Sequence, residues 1–540
     1  MSRDPDRAFF GHPKGLATLF FTEMWERFSY YGMRAFLILY LAAPEDLGGK
    51  GMFIIKDGEP EASAAAGAIV GMFGASVYLL GLPGGWIADR FLGQRKAVLL
   101  GGLGIALGNA VLALPGIGDG FYLGLVLIAF GTGFLKPNIS SLVGQLYTEG
   151  DIRRDSGYTI YYMGINIGAT IAPFICGYLA TDDDFRAFLT SNGVDPNVCW
   201  NAAFAAAALG MVGGLVQYIL GQRSMGDVGK HPTVPSDPKI ANRDRNVLKA
   251  IGASIAVLLV VILVAKPSQE VITETMGIGL VLGSIALFYG LYRSARDAKE
   301  RRGIIAMIPL YIGAIGFFGI FEQAPTTLNV YANTYTEPVL LGLEIPPPWY
   351  QSVNAIFIVA FAPVMAYIWV RLARAKKEPT SVNKFAIGML FLAVAFVIML
   401  PTSGASGTNR VSGGYLIGLY FFYTIAELFI SPVGLSSMSK LAPARLGGMV
   451  MGIWFLGTAI GIYLAGRATA ISAGRSYDFL FMFLMVAAVV MALGLFIVAP
   501  MIKKMMGADA HVSGPADKSE KAEPEPLPTA KAVEKKKQDD

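Results

Sequence analysis

The sequence predicts an all-α membrane protein, built as two six-helix bundles with two further helices between them. Three observations carry this expectation. The apolar residues come in runs of roughly 18 to 28, long enough to cross a hydrocarbon core about 30 Å thick. Only 15% of the 540 residues are charged and 54% are hydrophobic, where a soluble protein carries about 25% charged residues. Short motifs also recur in the same order in the two halves of the chain. The mean hydropathy is +0.52, and the runs lack the strict alternation of a membrane β-barrel.

Apolar runs predict fourteen spans, at about 16–43, 64–89, 97–114, 120–146, 156–180, 200–221, 248–265, 277–293, 304–334, 348–371, 384–400, 413–440, 447–471 and 478–500. With the N-terminus inside, the cytoplasmic connections hold roughly 23 Lys and Arg and the outer ones roughly seven. Both termini are therefore expected in the cytoplasm. The implied organisation is a cytoplasmic N-terminus (1–15), a first bundle (16–221) and a polar linker (222–247). Two plain inserted spans (248–293), a basic loop (294–303), a second bundle (304–500) and a charged tail (501–540) follow. The Lys-, Glu-, Pro- and Ala-rich tail is expected to be disordered. The polar first 15 residues lead into a full-length helix, so no cleaved signal peptide is expected.

Without the inserted pair, the chain divides into six spans and six. The fourth span of the first half has Lys136-Pro137 before Ser140-Ser141; its counterpart has Ser431-Pro432 before Ser436-Ser437. The fifth has Met163-Gly164-Ile165-Asn166, against Met451-Gly452-Ile453-Trp454. Such ordered matches favour two similar halves with a site between them.

Seven ionisable residues lie well inside spans: Glu23, Glu26, Arg27, Arg34, Lys136, Glu322 and Glu427. At about 2.5–3.5 kcal/mol each at mid-membrane, they would together oppose insertion by roughly 20 kcal/mol. They must pair or line water. Helical spacing of about 100° per residue puts Glu23, Arg27, Tyr30 and Arg34 on one stripe of the first span, with Glu26 and Tyr31 beside it. Asn166 and Asn354 also lie in spans, where an amide needs a partner. A charged network lining a central cavity is the economical reading.

Other classes are excluded by composition. The net charge of +5 is spread over short loops, which is not a nucleic-acid footprint. Cys176 and Cys199 lack metal-like spacing, and the three histidines lie outside the spans. There is no phosphate-cradling glycine loop and no hydrolytic triad, so neither an enzyme, a metal nor an organic cofactor is expected. Gly85-Trp86-Ile87-Ala88-Asp89-Arg90 and Gly93-Gln94-Arg95-Lys96 read as an interhelical charge cluster at a cytoplasmic helix end. Asp182-Asp183-Asp184 reads as a solvated outer loop.

These residues resemble the proton-dependent oligopeptide transporters, within the major facilitator superfamily. Glu23-x-x-Glu26-Arg27-Phe28-x-Tyr30-Tyr31 looks like that family's first-helix motif. Gly131-Thr132-Gly133-Phe134-Leu135-Lys136-Pro137-Asn138 and Tyr162-Met163-Gly164-Ile165-Asn166 resemble its fourth and fifth helices. Glu322-Gln323, Gln351-Ser352-Val353-Asn354 and Glu427-Leu428-Phe429-Ile430-Ser431-Pro432 match in the second half. The likeness covers about residues 14–500, and bacterial members commonly carry an inserted helix pair.

The resemblance implies a major facilitator fold and proton-driven import of di- and tripeptides, with the proton gradient as the energy source and no cofactor. Arg27, Lys136 and Tyr31 would hold the peptide carboxylate; Asn166, Asn354 and Glu427 would hold its amine, with Ser431 nearby. Tyr30, Tyr78, Trp454 and Phe455 would shape the side-chain pockets. Arg34 and Glu322 would close the outer gate, with Lys136 and Glu427 also gating. Glu23, Glu26 and Glu322 would exchange the proton, the first two pairing with Lys136. Phe321 stands where many relatives have a second acid, and the second-helix histidine of eukaryotic members is absent, so carboxylates should carry the proton. A monomer in a bacterial inner membrane, among lipids and without nucleic acid, is implied. A proton-coupled carrier of another small substrate on the same fold is the alternative.

The chemistry agrees. A small peptide is a zwitterion of variable middle, so its site needs a cation pole, an acid-plus-amide pole and tolerant aromatic walls. Arg27 and Lys136 in one half, with Asn354 and Glu427 in the other, supply those poles.

Overall fold

A computed structural model of the chain describes residues 8–56, 59–148, 151–233, 237–402, 404–441 and 446–506. Beyond residue 506 the charged tail, expected to be disordered, lies outside the described residues. The first half runs α1 (Lys14–Ala42), a hairpin of β1 (Phe53–Lys56) and β2 (Glu59–Ala62), α2 (Ala64–Ile87), α3 (Gln94–Leu112), α4 (Gly120–Gln145), α5 (Arg154–Thr181), the short α6 (Asp183–Ser191) and α7 (Cys199–Gly221). Next come α8 (Pro238–Ala265) and α9 (Gln269–Ser294). The second half runs α10 (Ala298–Phe321), the short α11 (Thr327–Tyr335), a hairpin of β3 (Val339–Leu340) and β4 (Leu343–Glu344), α12 (Tyr350–Arg374), α13 (Ser381–Met399), α14 (Gly414–Leu441), α15 (Gly447–Gly474) and α16 (Tyr477–Met506).

Twelve of these helices are long and apolar enough to cross a membrane among the described residues. The other two long ones, α1 and α8, have 29 and 28 residues. Helix starts follow local chemistry. Ser63, Ser268 and Thr380 accept the orphan backbone N–H groups that open α2, α9 and α13. Asp182 does the same for α6, so the acidic stretch expected to be a solvated loop instead caps a helix. The predicted linker 222–247 is partly helical, because α8 already starts at Pro238, a residue whose missing N–H suits a first turn.

One expected span is broken. The apolar run 304–334 reads as a single helix, but α10 ends at Phe321 and α11 begins at Thr327. Pro325 lacks the N–H and disfavours helical geometry in the residue before it. The freed carbonyls are taken up by side chains: Gln323 Nε2 donates to that of Gly319 at 3.0 Å, the Tyr423 hydroxyl to that of Ile320 at 2.9 Å, and Thr326 Oγ1 to that of Glu322 at 3.2 Å. The break presents Glu322 at the end of a helix rather than on its wall.

The repeat motifs fall on matching elements, Pro137 and Pro432 on the fourth long helix of each half and Met163 and Met451 on the fifth. In the first half α1 is central, packed mainly against α5 and α7, while α3 pairs with α4. In the second, α13 packs between α14 and α16, and α10 lies against α15 and α16. Two seams join the halves, α2 against α15 and α5 against α12.

The α2–α15 seam is nearly backbone to backbone. A Cβ on Gly71 would lie 2.8 Å from Gly466 Cα, and neither backbone can yield cheaply. Gly71→Leu is therefore expected to cost at least about 2–3 kcal/mol through overpacking. A lowered thermal-unfolding midpoint of the purified protein checks this; an unchanged midpoint contradicts the seam.

At the start of α1 the chain is clasped to α4 and α5. Buried His12 places Nδ1 2.9 Å from the Tyr147 hydroxyl, and its Nε2 faces Ser156 Oγ at 3.5 Å. Burial pushes the imidazole below its usual range; neighbouring Arg153 adds to this and Asp151 opposes it. The folded protein thus binds less proton at His12 than the unfolded chain does, so folding stability falls as pH drops below about 6.5. Unfolding free energy between about pH 6.5 and 5 should fall with acidity in the wild type, and the slope should be shallower in His12→Gln by up to about 1.4 kcal/mol per pH unit. Equal slopes would contradict this role of His12.

Candidate functional site

The site starts on α1. Its helical period puts Glu23, Arg27, Tyr30 and Arg34 on one face, and all four are buried. Arg27 Nε lies 3.1 Å from Glu23 Oε1 and forms a second ion pair with Glu26. The guanidinium also sits 5.3 Å from the Tyr30 ring centre and 5.8 Å from that of Tyr31, within range of cation–π attraction. α5 can approach this face because Gly168 has no side chain; a Cβ there would lie 3.0 Å from Arg27 Cβ and closer still to the Met24 carbonyl oxygen. The result is a buried cation held between two carboxylates and two aromatic faces.

Lys136 departs from the expected pairing. Glu23 and Glu26 pair with Arg27, one turn or less away on their own helix, and Lys136 has no ion-pair partner among the described residues. Its Nζ lies 3.9 Å from the centre of the Tyr78 ring on α2. Tyr78 in turn faces Phe455 of the other half, with ring centres 6.3 Å apart. Lys136 and Glu427, both expected among the gating residues, are not joined to each other: Glu427 Oε2 accepts from Asn354 Nδ2 at 3.2 Å.

The second half supplies that acid and amide. Asn354 Nδ2 also donates to Thr424 Oγ1 at 3.0 Å, which fixes it toward Glu427. Asn166, on α5, is held by a bond from its Nδ2 to the Tyr162 carbonyl at 3.0 Å. Tyr31, Arg34, Asn166, Glu322, Asn354 and Glu427 line one cavity of about 190 Å³ between the halves, smaller than the roughly 300–1,000 Å³ of most small-molecule sites. Glu23, Glu26, Arg27, Lys136, Tyr78, Trp454 and Phe455 are not in its wall. Trp454 is buried against Phe318, its ring centre 6.3 Å away, and Ser431 is half-buried on α14.

Above the cavity, toward the C-terminal end of α1, Arg34 bridges to Glu322 and so joins the two halves. More cross-half bonds gather at this end. Asn329 Nδ2 and Gln351 Nε2 both donate to the Ala35 carbonyl, at 2.6 and 3.0 Å. Ser352 Oγ donates to the Thr170 carbonyl at 2.8 Å, and Trp349 Nε1 to that of Phe174 at 3.1 Å. This end of the cavity is shut.

Sequence reasoning missed Tyr162, Tyr420 and Thr424 as site residues. A signal for each existed: Tyr162 stands one helical turn before Asn166, and Tyr420 and Thr424 stand seven and three residues before Glu427. Helical spacing from an already suspected polar residue would have found them.

Two helical halves that meet around a charged cavity closed at one end define an integral, multi-pass membrane transporter of the major facilitator type. The family model described as "POT family" matches residues 95–478. The chain is 36% identical over 515 residues to a di-/tripeptide transporter of Lactococcus lactis subsp. cremoris, covering 93% of this chain and 98% of that one. It is 38% identical over 476 residues to the peptide transporter YePEPT of Yersinia enterocolitica, covering 85% and 88%. A solved mutant of a peptide transporter POT in complex with alafosfalin superposes with a TM-score of 0.81 at 37% identity, covering 93% and 98%. A POT family transporter in complex with 5-aminolevulinic acid gives 0.81 at 34%, covering 92% and 98%. The chain belongs to the POT family of membrane transporters.

Proposed function

We propose that the protein is a proton-coupled symporter that imports di- and tripeptides by alternating access. The observation that carries this is a pair of opposite poles, one on each half: the Arg27 cluster with Lys136, reaching the cavity through Tyr31 of its wall, and Asn354 with Glu427 in the wall itself. A peptide carboxylate suits the first and its ammonium the second, with Tyr30, Tyr31, Tyr78, Trp454 and Phe455 as aromatic surroundings. Fourteen spans, cytoplasmic termini, a bacterial inner membrane and a monomeric working unit belong to the same reading; the Lys and Arg asymmetry of the loops supports the placing of the termini. On that topology the shut end faces outward.

The residues then divide the work. Arg27 is engaged by Glu23 and Glu26 when no peptide is bound. An incoming carboxylate takes over part of that guanidinium, and a proton on the Glu23/Glu26 pair keeps the cluster near neutrality. Lys136, whose ammonium lies over the Tyr78 ring, adds a second contact. Protonation of Glu322 removes the charge that holds Arg34, which releases the outer bridge. Return of the proton to the cytoplasm restores it. The energy suffices: one charge is worth about 2.3 kcal/mol per 100 mV, and one pH unit about 1.4 kcal/mol.

Uptake by reconstituted protein, with and without an inward proton gradient, tests this reading. Gradient-driven accumulation of a labelled dipeptide, competed by unlabelled dialanine, is the expected result. Gradient-driven transport without competition by any di- or tripeptide would mean a carrier for another small solute.

A further inference from the structure

Glu61 lies in β2, within the connection between α1 and α2, where an acid is ordinarily solvated. Here it is 2% exposed. The phenol of Tyr335, at the end of α11, donates to Glu61 Oε1, and the phenol of Tyr477, at the start of α16, donates to Oε2 at 3.1 Å. The carboxylate belongs to the first half and both donors to the second. Bonds to an ionised acceptor are the strong class, and burial strengthens them further.

Both sides are held in position before they meet. On the first half, Ile54 pairs with Glu61 across the hairpin, Met52 N donates to the Leu41 carbonyl at 2.8 Å, and Ser63 N to that of Met52 at 3.0 Å. The strand is thus fastened to the ends of both α1 and α2. On the second half, Tyr335 and Tyr477 stack with Tyr331 in one cluster, with ring centres 5.1 to 5.4 Å apart. The Tyr335 carbonyl is bound by Val411 N at 2.9 Å. Any motion that parts the halves at this end must separate Glu61 from the tyrosines, because each is fixed to its own half.

We infer that Glu61, with Tyr335 and Tyr477, is a second gating contact of this transporter, distinct from Arg34–Glu322, that holds the outer end closed and breaks in each cycle. The inference rests on the alternating-access reading above. It does not need the substrate to be a peptide.

The test is a distance measurement. Spin labels are placed at Asp46→Cys on the first half and Leu343→Cys on the second, both exposed positions; the native Cys176 and Cys199 are buried and escape labelling. Full-length protein in lipid nanodiscs is compared with Glu61→Gln, Tyr335→Phe and Tyr477→Phe, which keep size and ring packing. Loss of a charge-assisted bond should raise the ratio of long to short distances about tenfold, and Glu61→Gln combined with Tyr335→Phe should add little to either alone. Unchanged distances in Glu61→Gln, or a shift there with none in either tyrosine variant, overturn the latch. Transport is read in parallel: absence of peptide uptake by the wild type counts against the proposed substrate, while the distances alone decide the latch.

Discussion

Glu322→Gln is expected to abolish gradient-driven accumulation of dipeptide while sparing exchange of labelled for unlabelled peptide across the membrane. Arg34 and Glu322 form the bridge between α1 and the break after α10. The amide keeps the size and one acceptor oxygen but carries no titratable proton and no charge. A hydrogen bond to a charged group contributes about 1.5–3 kcal/mol, so the closed outer end is weakened and, more importantly, its opening no longer depends on proton binding. Uphill uptake should fall at least about 100-fold, the size of effect that loss of about 2.7 kcal/mol of coupling produces. Exchange should remain within about tenfold of wild type, because it needs only reorientation of the loaded carrier. Proteoliposomes with and without an imposed pH difference and potential provide both readouts. Intact uphill uptake would remove Glu322 from the coupling mechanism.

Arg27→Ala should be the most damaging single change. It deletes the cation that both Glu23 and Glu26 engage, leaving two carboxylates buried side by side. Removing one partner of a buried ion pair costs about 3–5 kcal/mol, and the substrate carboxylate loses its clamp as well. Peptide uptake should drop about 150- to 4,000-fold by the same energy scale. Arg27→Lys should rescue only in part, since an ammonium cannot present the forked donors of a guanidinium. To separate recognition from folding, Arg27→Ala combined with Glu26→Gln relieves one of the orphaned charges, and its affinity for a dipeptide is compared with that for the dipeptide amide. The wild type should prefer the free carboxylate strongly; the variant should discriminate much less. Undiminished affinity for ordinary dipeptides would dismiss the clamp.

The parts of the site that could be read in advance share a physical reason. Charges on α1 are conspicuous because hydrocarbon penalises them, and a period of 3.6 sorts them onto a face without any knowledge of the neighbours. The same argument found Glu322 and Glu427, and the Arg34–Glu322 bridge joins the two charges in the way the family likeness implied. What failed were contacts set by how helices approach one another. The choice of Arg27 over Lys136 as the partner of Glu23 and Glu26 depends on side-chain reach along one helix, and the place of Lys136 over Tyr78 depends on the fit of α4 against α2. Pro325 did mark the break that ends α10, yet the apolar run around it was the louder signal. Glu61 could not have been singled out: its partners stand 274 and 416 residues away, and a carboxylate in a polar connection looks ordinary.

The inserted helix α9 lies against α15, α2 and α10 at once. It fastens to both sides of the glycine seam: Gln269 Nε2 donates to the Ala65 carbonyl at 2.7 Å, and Thr273 gives its carbonyl to the Tyr463 hydroxyl at 3.2 Å. The backbone of both helices is hydrogen-bonded within itself, so what the seam loses on opening is the close van der Waals packing that its glycines permit. The added helix is thus a strap across the seam, one end of it bonded to each bundle.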